Sequence, residues 1–254
     1  GPATTPTLES SAVLAALGAL TERLRIGSLV FANTFRHPAV LANWAATLDI
    51  VTNGRLVVGL GAGWQHNEHE QYGIELGSPG KRIEMLEESC QVLRRLWQQP
   101  ESSFAGKHYQ LDHALCEPKP LQPHLPVLIG GKGDRMLGVV ARQADEWNMW
   151  GLAPAISERS MVLEAKCDQV GRDPATILRS AQALVMVTDD ARAAAEFIER
   201  VSPRAAIAGP VERFVEAVQQ WAAVGVTEVI VPDMALGRGS RRLENIDALR
   251  AAVR

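Results

Sequence analysis

No apolar run in this 254-residue chain approaches the roughly 20 residues that a membrane-spanning helix needs, and no leader-type segment opens it. Both absences point away from the membrane and toward the cytoplasm. Positive charge is not in excess: 26 Lys and Arg against 29 Asp and Glu leave a formal charge of -3 and a sequence pI near 6.1. A nucleic-acid or anionic-membrane partner would ask for the opposite balance, so neither is expected. Cysteine is scarce. Cys90, Cys116 and Cys167 lie far apart and form no CxxC pair, which suits a reducing compartment and excludes a disulfide scaffold. Cys90 shares a helical face with Ile83, Leu86 and Leu93, the pattern of a core thiol rather than a nucleophile. Three ligand motifs are also missing. Trp64 stands where a dinucleotide fingerprint needs its third glycine, and no Lys-Ser/Thr completes a P-loop. His66 and His69 sit three apart without the zincin pattern or a third ligand, so no metal is expected.

With 46% hydrophobic and 22% charged residues, what is present is an ordinary soluble globular composition with ample core. The length suits one barrel-sized domain or two smaller ones. The chain is organised around Arg55 to Gly73, RLVVGLGAGWQHNEHEQYG. Its apolar run Leu56-Val57-Val58 reads as a buried parallel strand. Glycines at 59, 61 and 63 then remove side chains where something must approach the backbone closely. Trp64 and the polar stretch Gln65 to Glu70 follow, which reads as the lip of a ligand site or, more plainly, as a tight turn and a solvated loop.

Upstream, Thr5 and Pro6 open a helix whose face is Val13, Leu17, Leu20 and Leu24. A strand over Arg25 to Phe31 and a helix from His37-Pro38 to Asn53-Gly54 follow, the helix with Leu41, Trp44, Ala45, Leu48 and Val51 as its stripe. Downstream come a helix over Ile83 to Trp97 and a proline-rich connection from Pro100 to Pro126 containing a short strand or hairpin. The remaining strands are 126–129, 146–150, 178–187 and 228–231, with helices over 134–144, 157–170, 189–200 and 211–224 between them and a helical tail after 235. Strands that alternate with helices call for parallel pairing with right-handed crossovers. An open doubly wound sheet and a (β/α)₈ barrel compete, and the strand ends favour the barrel. Asn33-Thr34, Gly61 to Glu68, Gly130-Gly131, Trp147 to Gly151 and Pro232-Asp233 all follow strands, and a barrel gathers such residues at its C-terminal face.

The stretch RIGSLVFANTFRHPAVLANWAATLDIVTNGRLVVGLGAGW resembles the luciferase-like monooxygenase superfamily, and within it the branch of F420-dependent oxidoreductases. RIEMLEESCQVLRRLW, FAGKHYQL, EPKPLQPHLPVLIGGKGDRMLGVVARQADEWN and AGPVERFVEAVQQWAAVGVTEVIV continue the likeness in order, over about Thr7 to Val231. The resemblance implies a TIM barrel that binds coenzyme F420, or alternatively FMN, at its C-terminal face. It implies hydride transfer between that ring and an unidentified small organic substrate. The family's bulge, often with a non-proline cis peptide, falls at Leu29-Val30, where backbone meets the central ring. Ala32 and Asn33 line the same wall, and Asn67 matches a cofactor-touching residue. Gly130 and Gly131 match the pair under the phosphate-bearing tail; two glycines before a helix N-terminus expose N–H donors to an anion, and Lys132 adds charge. Trp64 replaces a carboxylate that is catalytic in some relatives and so faces substrate. Glu68 and His66 are the nearby candidates for proton handling, with solvated loop residues as the plainer reading of both; His37 reads as a helix-start residue.

Relatives begin with a strand, a helix and a second strand before the point where this chain starts, at Gly1-Pro2. The expectation is therefore a single luciferase-like barrel domain over residues 1–254, N-terminally incomplete, lacking the first two strands. The exposed edge left behind predicts a homodimer. An FMN-dependent monooxygenase and a non-catalytic shortened flavin-binding protein stay open as alternatives.

Overall fold

A computed structural model describes residues 7–253, and the chain falls into two compact units. The first comprises residues up to 130 with 142–145, and the second residues 131–141 with 146 onward.

In the first unit, α1 (Ser10–Leu20) is capped by Glu9, whose carboxylate accepts from the Ser11 and Ala12 N–H groups. Thr5 and Pro6, expected to start this helix, lie outside the described residues. The expected stripe is corrected: Leu17, Leu20 and Leu24 are exposed, and the one buried residue of the helix is Gly18. A Cβ on Gly18 would stand 2.7 Å from Thr52 Cγ2. The helix therefore meets its neighbour α2 (Pro38–Val51) through its smallest residue rather than through its leucines. Pro38 fills the first turn of α2, His37 Nδ1 accepts the Ala39 N–H at 3.2 Å, and Leu41, Ala45 and Leu48 are buried as their spacing predicts, whereas Val51 is exposed.

The strand expected over Arg25 to Phe31 is two short strands, β1 (Ile26–Gly27) and β2 (Phe31–Ala32), both parallel to β3 (Leu56–Gly61). The polar stretch after β3 is not a loop. It forms α3 (His66–Tyr72), closed by Gly73 at φ 66°. Helix α4 (Pro79–Gln98) starts on the Ser78 hydroxyl and buries Cys90, whose thiol burial pushes up to about 12, as a core thiol requires. The proline-rich connection folds as an antiparallel hairpin, β4 (Ser102–Ala105) and β5 (Gln110–Ala114). Glu88 of α4 holds its turn by accepting the N–H groups of Lys107, His108 and Tyr109. Strand β6 (Val127–Gly130) runs parallel to β3. Asp145 anchors its start: one carboxylate accepts the Val127 N–H at 2.7 Å and pairs with Arg94 and His124. Burial opposes ionisation of Asp145, but the Arg94 charge and these hydrogen bonds outweigh it and hold the carboxyl below its usual range.

The second unit contains α5 (Asp134–Gln143, to Ala141), β7 (Glu146–Trp150), α6 (Ala153–Gln169) and β8 (Leu178–Gln182). The strand expected over 178–187 breaks at Ala183. Its second half, β9 (Leu184–Val187), leaves β8 and, beyond α7 (Ala191–Val201), pairs in parallel with β10 (Ala206–Gly209). Three small residues around a single isoleucine, AIAG, give no strand signal in the sequence. Helix α8 (Val211–Ala223), β11 (Glu228–Ile230) and α9 (Ser240–Ala252) complete the chain. β7, β8 and β11 are parallel, in the register Asn148↔Ser180↔Glu228. Trp221 of α8 is buried and donates its indole N–H to the Gly151 carbonyl at 3.0 Å. Among the described residues no helix is long and apolar enough to cross a membrane.

Candidate functional site

From Ile26 to Phe31 the chain takes five steps, whereas β3 takes four from Leu56 to Leu60. The surplus residue is accommodated as a bulge at Ser28–Val30, and the Leu29–Val30 peptide is cis. The bulge lies where the resemblance placed it. A Cβ on Gly59 would stand 1.8 Å from the Ser28 carbonyl oxygen, one on Gly61 2.7 Å from Val30 Cγ2, and one on Gly130 3.2 Å from Val30 Cγ1. The alternate glycines that read as room for a ligand thus first receive the chain's own bulge. Ser28 Oγ donates to the Gly59 carbonyl at 2.8 Å and ties the two strands together. Leu29 stays exposed, and beside it a hollow of about 400 Å³ is lined by Leu8, Val13, Leu14, Gly27, Ser28 and Val30 among others.

Beyond the bulge, a short 3₁₀ turn, Asn33–Phe35, supplies three side chains to a polar cluster. Asn33 is buried and its amide donates to Tyr109 Oη at 3.3 Å. Tyr109 in turn meets the His37 ring edge-on, 5.3 Å between centroids. Thr34 Oγ1 lies 2.7 Å from Nε2 of His69, and Nδ1 of that ring lies 2.7 Å from the Gln65 carbonyl. A carbonyl only accepts, so Nδ1 carries the proton, and in the neutral ring Nε2 accepts from the Thr34 hydroxyl. His69 is buried against Phe35, whereas His66, Glu68 and Trp64 are exposed and Asn67 is half-buried. The imidazole that the fold builds in is therefore His69, which the sequence pattern offers only as a metal ligand. His66 and Glu68, two positions apart on a helix, point to different sides. One ligand cannot face both. Arg82 fixes the approach to α3 by donating to the Gly63 and Gly77 carbonyls at 3.1 and 2.5 Å.

At the end of β6 the Gly131 N–H is not available to an anion, because it donates to the Asn148 carbonyl at 3.0 Å. The expectation that both glycines offer free donors is corrected at that position. What stays open is the run into α5: Lys132 and Gly133 are exposed, and a Cβ on Gly133 would meet nothing within 4 Å. Asp134, in the first turn, is occupied by Arg159. An exposed helix start with a lysine beside it accommodates a phosphate.

A second polar group carries no motif in the sequence. On β7 and β8, Asn148 Nδ2 donates to Ser180 Oγ at 2.9 Å and to the Ser180 carbonyl at 3.3 Å, and Gln182 Nε2 donates to Asn148 Oδ1 at 3.0 Å. All three residues are buried. Polar residues at alternate strand positions, 146 and 148, then 180 and 182, were the available signal. No three His, Cys, Asp or Glu side chains among the described residues gather into a metal-binding group.

Parallel strands alternating with helices and a bulged strand end backed by glycines define an α/β protein of the TIM-barrel type. The chain belongs to the luciferase-like monooxygenase family, whose sequence profile matches residues 2–251. It is 35% identical over 168 residues to an uncharacterised protein of Mycobacterium tuberculosis, a match covering 66% of this chain and 58% of that protein. It is 34% identical over 191 residues to the pyrimidine monooxygenase RutA of Allorhizobium ampelinum, covering 72% of this chain and 50% of the relative. This chain thus spans little more than half the length of the curated relatives it matches. Among solved structures, an F420-dependent secondary alcohol dehydrogenase superposes with a TM-score of 0.85 at 18% identity, over 100% of this chain and 86% of that one. The coenzyme F420-dependent tetrahydromethanopterin reductase of Methanopyrus kandleri gives 0.81 at 17%, over 97% and 87%. At such identities the likeness is one of fold, and the fold is luciferase-like.

Proposed function

We propose that this chain is an oxidoreductase that transfers hydride between coenzyme F420 and a small organic substrate, residues 1–254 forming one luciferase-like barrel domain. The observation that carries the reading is the glycine-backed bulge at Ser28–Val30, with an exposed, lysine-flanked helix start after Gly130-Gly131. The backbone at Leu29 and Val30, with Ala32 and Asn33, holds the ring. Gly130, Gly131 and Lys132 hold its phosphate-bearing tail, Lys132 by charge and the glycines by leaving room. Asn67 touches the cofactor, and Trp64 faces the substrate. Either His66 or Glu68 exchanges the substrate proton with solvent, both being exposed on α3. When bound, F420 supplies hydride chemistry alone, whereas FMN would add one-electron and oxygen chemistry. FMN is the second reading, favoured by the identity to pyrimidine monooxygenases, with a non-catalytic flavin-binding protein as the third. We further propose a cytoplasmic homodimer.

Titration with F420 and with FMN, followed by fluorescence quenching, tests the assignment. F420 is expected to bind more tightly, Gly130→Leu to weaken either cofactor, and Lys132→Ala to weaken either severalfold without unfolding the chain. Tight FMN binding with no F420 response overturns the choice of cofactor. FMN binding without any oxidoreductase activity favours the non-catalytic reading, and binding of neither overturns all three. Propan-2-ol with F420, and uracil with reduced FMN, serve as probe substrates.

A further inference from the structure

Gln182 is the last residue of β8 and is 7% exposed. Its neighbour in sequence but one, Ser180, and its partner Asn148 share its face of the sheet, because Asn148 is in register with Ser180 and Trp150 with Gln182. The opposite face of β8 is the one the helices cover, since Arg179 pairs at 2.9 Å with Glu164 on α6. In barrel strands the face turned away from the helices is the interior, and its carboxyl end is where ligands are bound.

The hydrogen bonds fix how the Gln182 amide is turned. The Ser180 carbonyl can only accept, so the atom of Asn148 that approaches it at 3.3 Å must be Nδ2. Oδ1 of Asn148 therefore faces Gln182, and the atom that meets it at 3.0 Å must be Nε2. Oε1 of Gln182 is left pointing away from the chain of amides. Among the described residues it has no hydrogen-bond partner, and it does not belong to the fully sealed unpartnered atoms. A side chain more than nine-tenths buried, with its donor end locked and its acceptor end open, is an uncommon arrangement, because buried acceptors are normally satisfied.

We infer that Gln182 reads the ligand: its Oε1 accepts a hydrogen bond from an N–H or O–H donor on the molecule bound at the carboxyl end of β8. The inference rests on the proposed function for the identity of that molecule. The rings of F420 and FMN each carry an imide N–H between two carbonyls, and an alcohol or imide substrate carries the same kind of donor. A fixed acceptor selects such a donor and rejects an analogue in which it is methylated, because the buried oxygen would then stay unpaired.

The test is a set of fluorescence titrations of the wild-type chain and Gln182→Leu with F420, FMN and N3-methyl-FMN, paired with the KM for propan-2-ol in F420 reduction. If the donor is the ring imide, Gln182→Leu weakens F420 and FMN about tenfold and leaves N3-methyl-FMN unchanged, which also demonstrates that the variant is folded. If the donor is the substrate hydroxyl, cofactor affinities hold and the KM for propan-2-ol rises about tenfold with little change in kcat. Equal weakening of FMN and its methylated analogue would mean that the residue only supports the strand, and the inference fails. Unchanged affinities together with an unchanged KM refute it as well. Wild-type chain that binds neither cofactor refutes the proposed function itself, and the inference with it, a result distinct from a silent Gln182→Leu.

Discussion

The Ser28–Val30 bulge and the Asn148–Ser180–Gln182 amide chain, one in each unit, are built by opposite means. The bulge is made by subtraction. Gly59, Gly61 and Gly130 give up their side chains so that backbone and one valine can approach, and a methyl group at Gly59 would stand 1.8 Å from a carbonyl oxygen. The amide chain is made by addition. Three polar side chains are buried where a barrel interior ordinarily carries Val, Ile or Leu, and each hydrogen bond fixes the orientation of the next. Subtraction leaves no latitude, because backbone cannot give way. Addition leaves some, because a polar side chain can be exchanged for an apolar one of similar volume.

The largest expected effect follows from that difference. Gly59→Ala forces a Cβ against the Ser28 carbonyl and should destabilise the chain by about 3 kcal/mol or more, read as a lowered urea midpoint with cofactor affinity lost alongside. Asn148→Leu should cost less, about 2 kcal/mol, for the buried Gln182 amide donor it leaves unpaired. If Asn148→Leu proved the costlier in matched urea melts, the contrast between backbone subtraction and side-chain addition would be reversed.

The smallest effect lies at the α1 cap, outside both regions. Hydrogen bonds from Ser11, then Ala12, with the Arg36 charge, lower the Glu9 carboxyl from 4.5 to about 2. A lowered carboxyl stabilises the fold fully above its unfolded value and loses that contribution as pH falls through its folded one. Part of the acid sensitivity between about pH 4.5 and about pH 2 should therefore vanish in Glu9→Gln, for a loss at neutral pH of about 0.5 kcal/mol. Melting curves against pH that superpose for the two proteins would show that this exposed cap is screened by solvent.

The glycines, the strand-then-helix order and the prolines at helix starts were legible because each acts through local backbone geometry. Gly59, Gly61 and Gly130 announced a close approach, and the family likeness placed the bulge at Leu29-Val30. What approaches them was not legible: it is a segment some thirty residues upstream of Gly59, brought there by the pairing of β1 and β2 with β3. Likewise, Gln65 to Glu70 is polar enough to read as a loop, and only its docking by His69 onto Thr34 and Phe35 makes it a helix with one buried face.

By itself, then, the sequence determined the alternation of parallel strands and helices, the core character of Cys90 and the positions where backbone must come close, since periodicity and missing side chains are properties of a few adjacent residues. Only the tertiary structure decided which histidine is buried, that the Gly131 N–H is already taken by Asn148, that 178–187 is two strands rather than one, and that Gln182 ends an amide chain with its oxygen free. Each of these depends on which strand lies beside which and in what register, and register is set by partners distant in sequence.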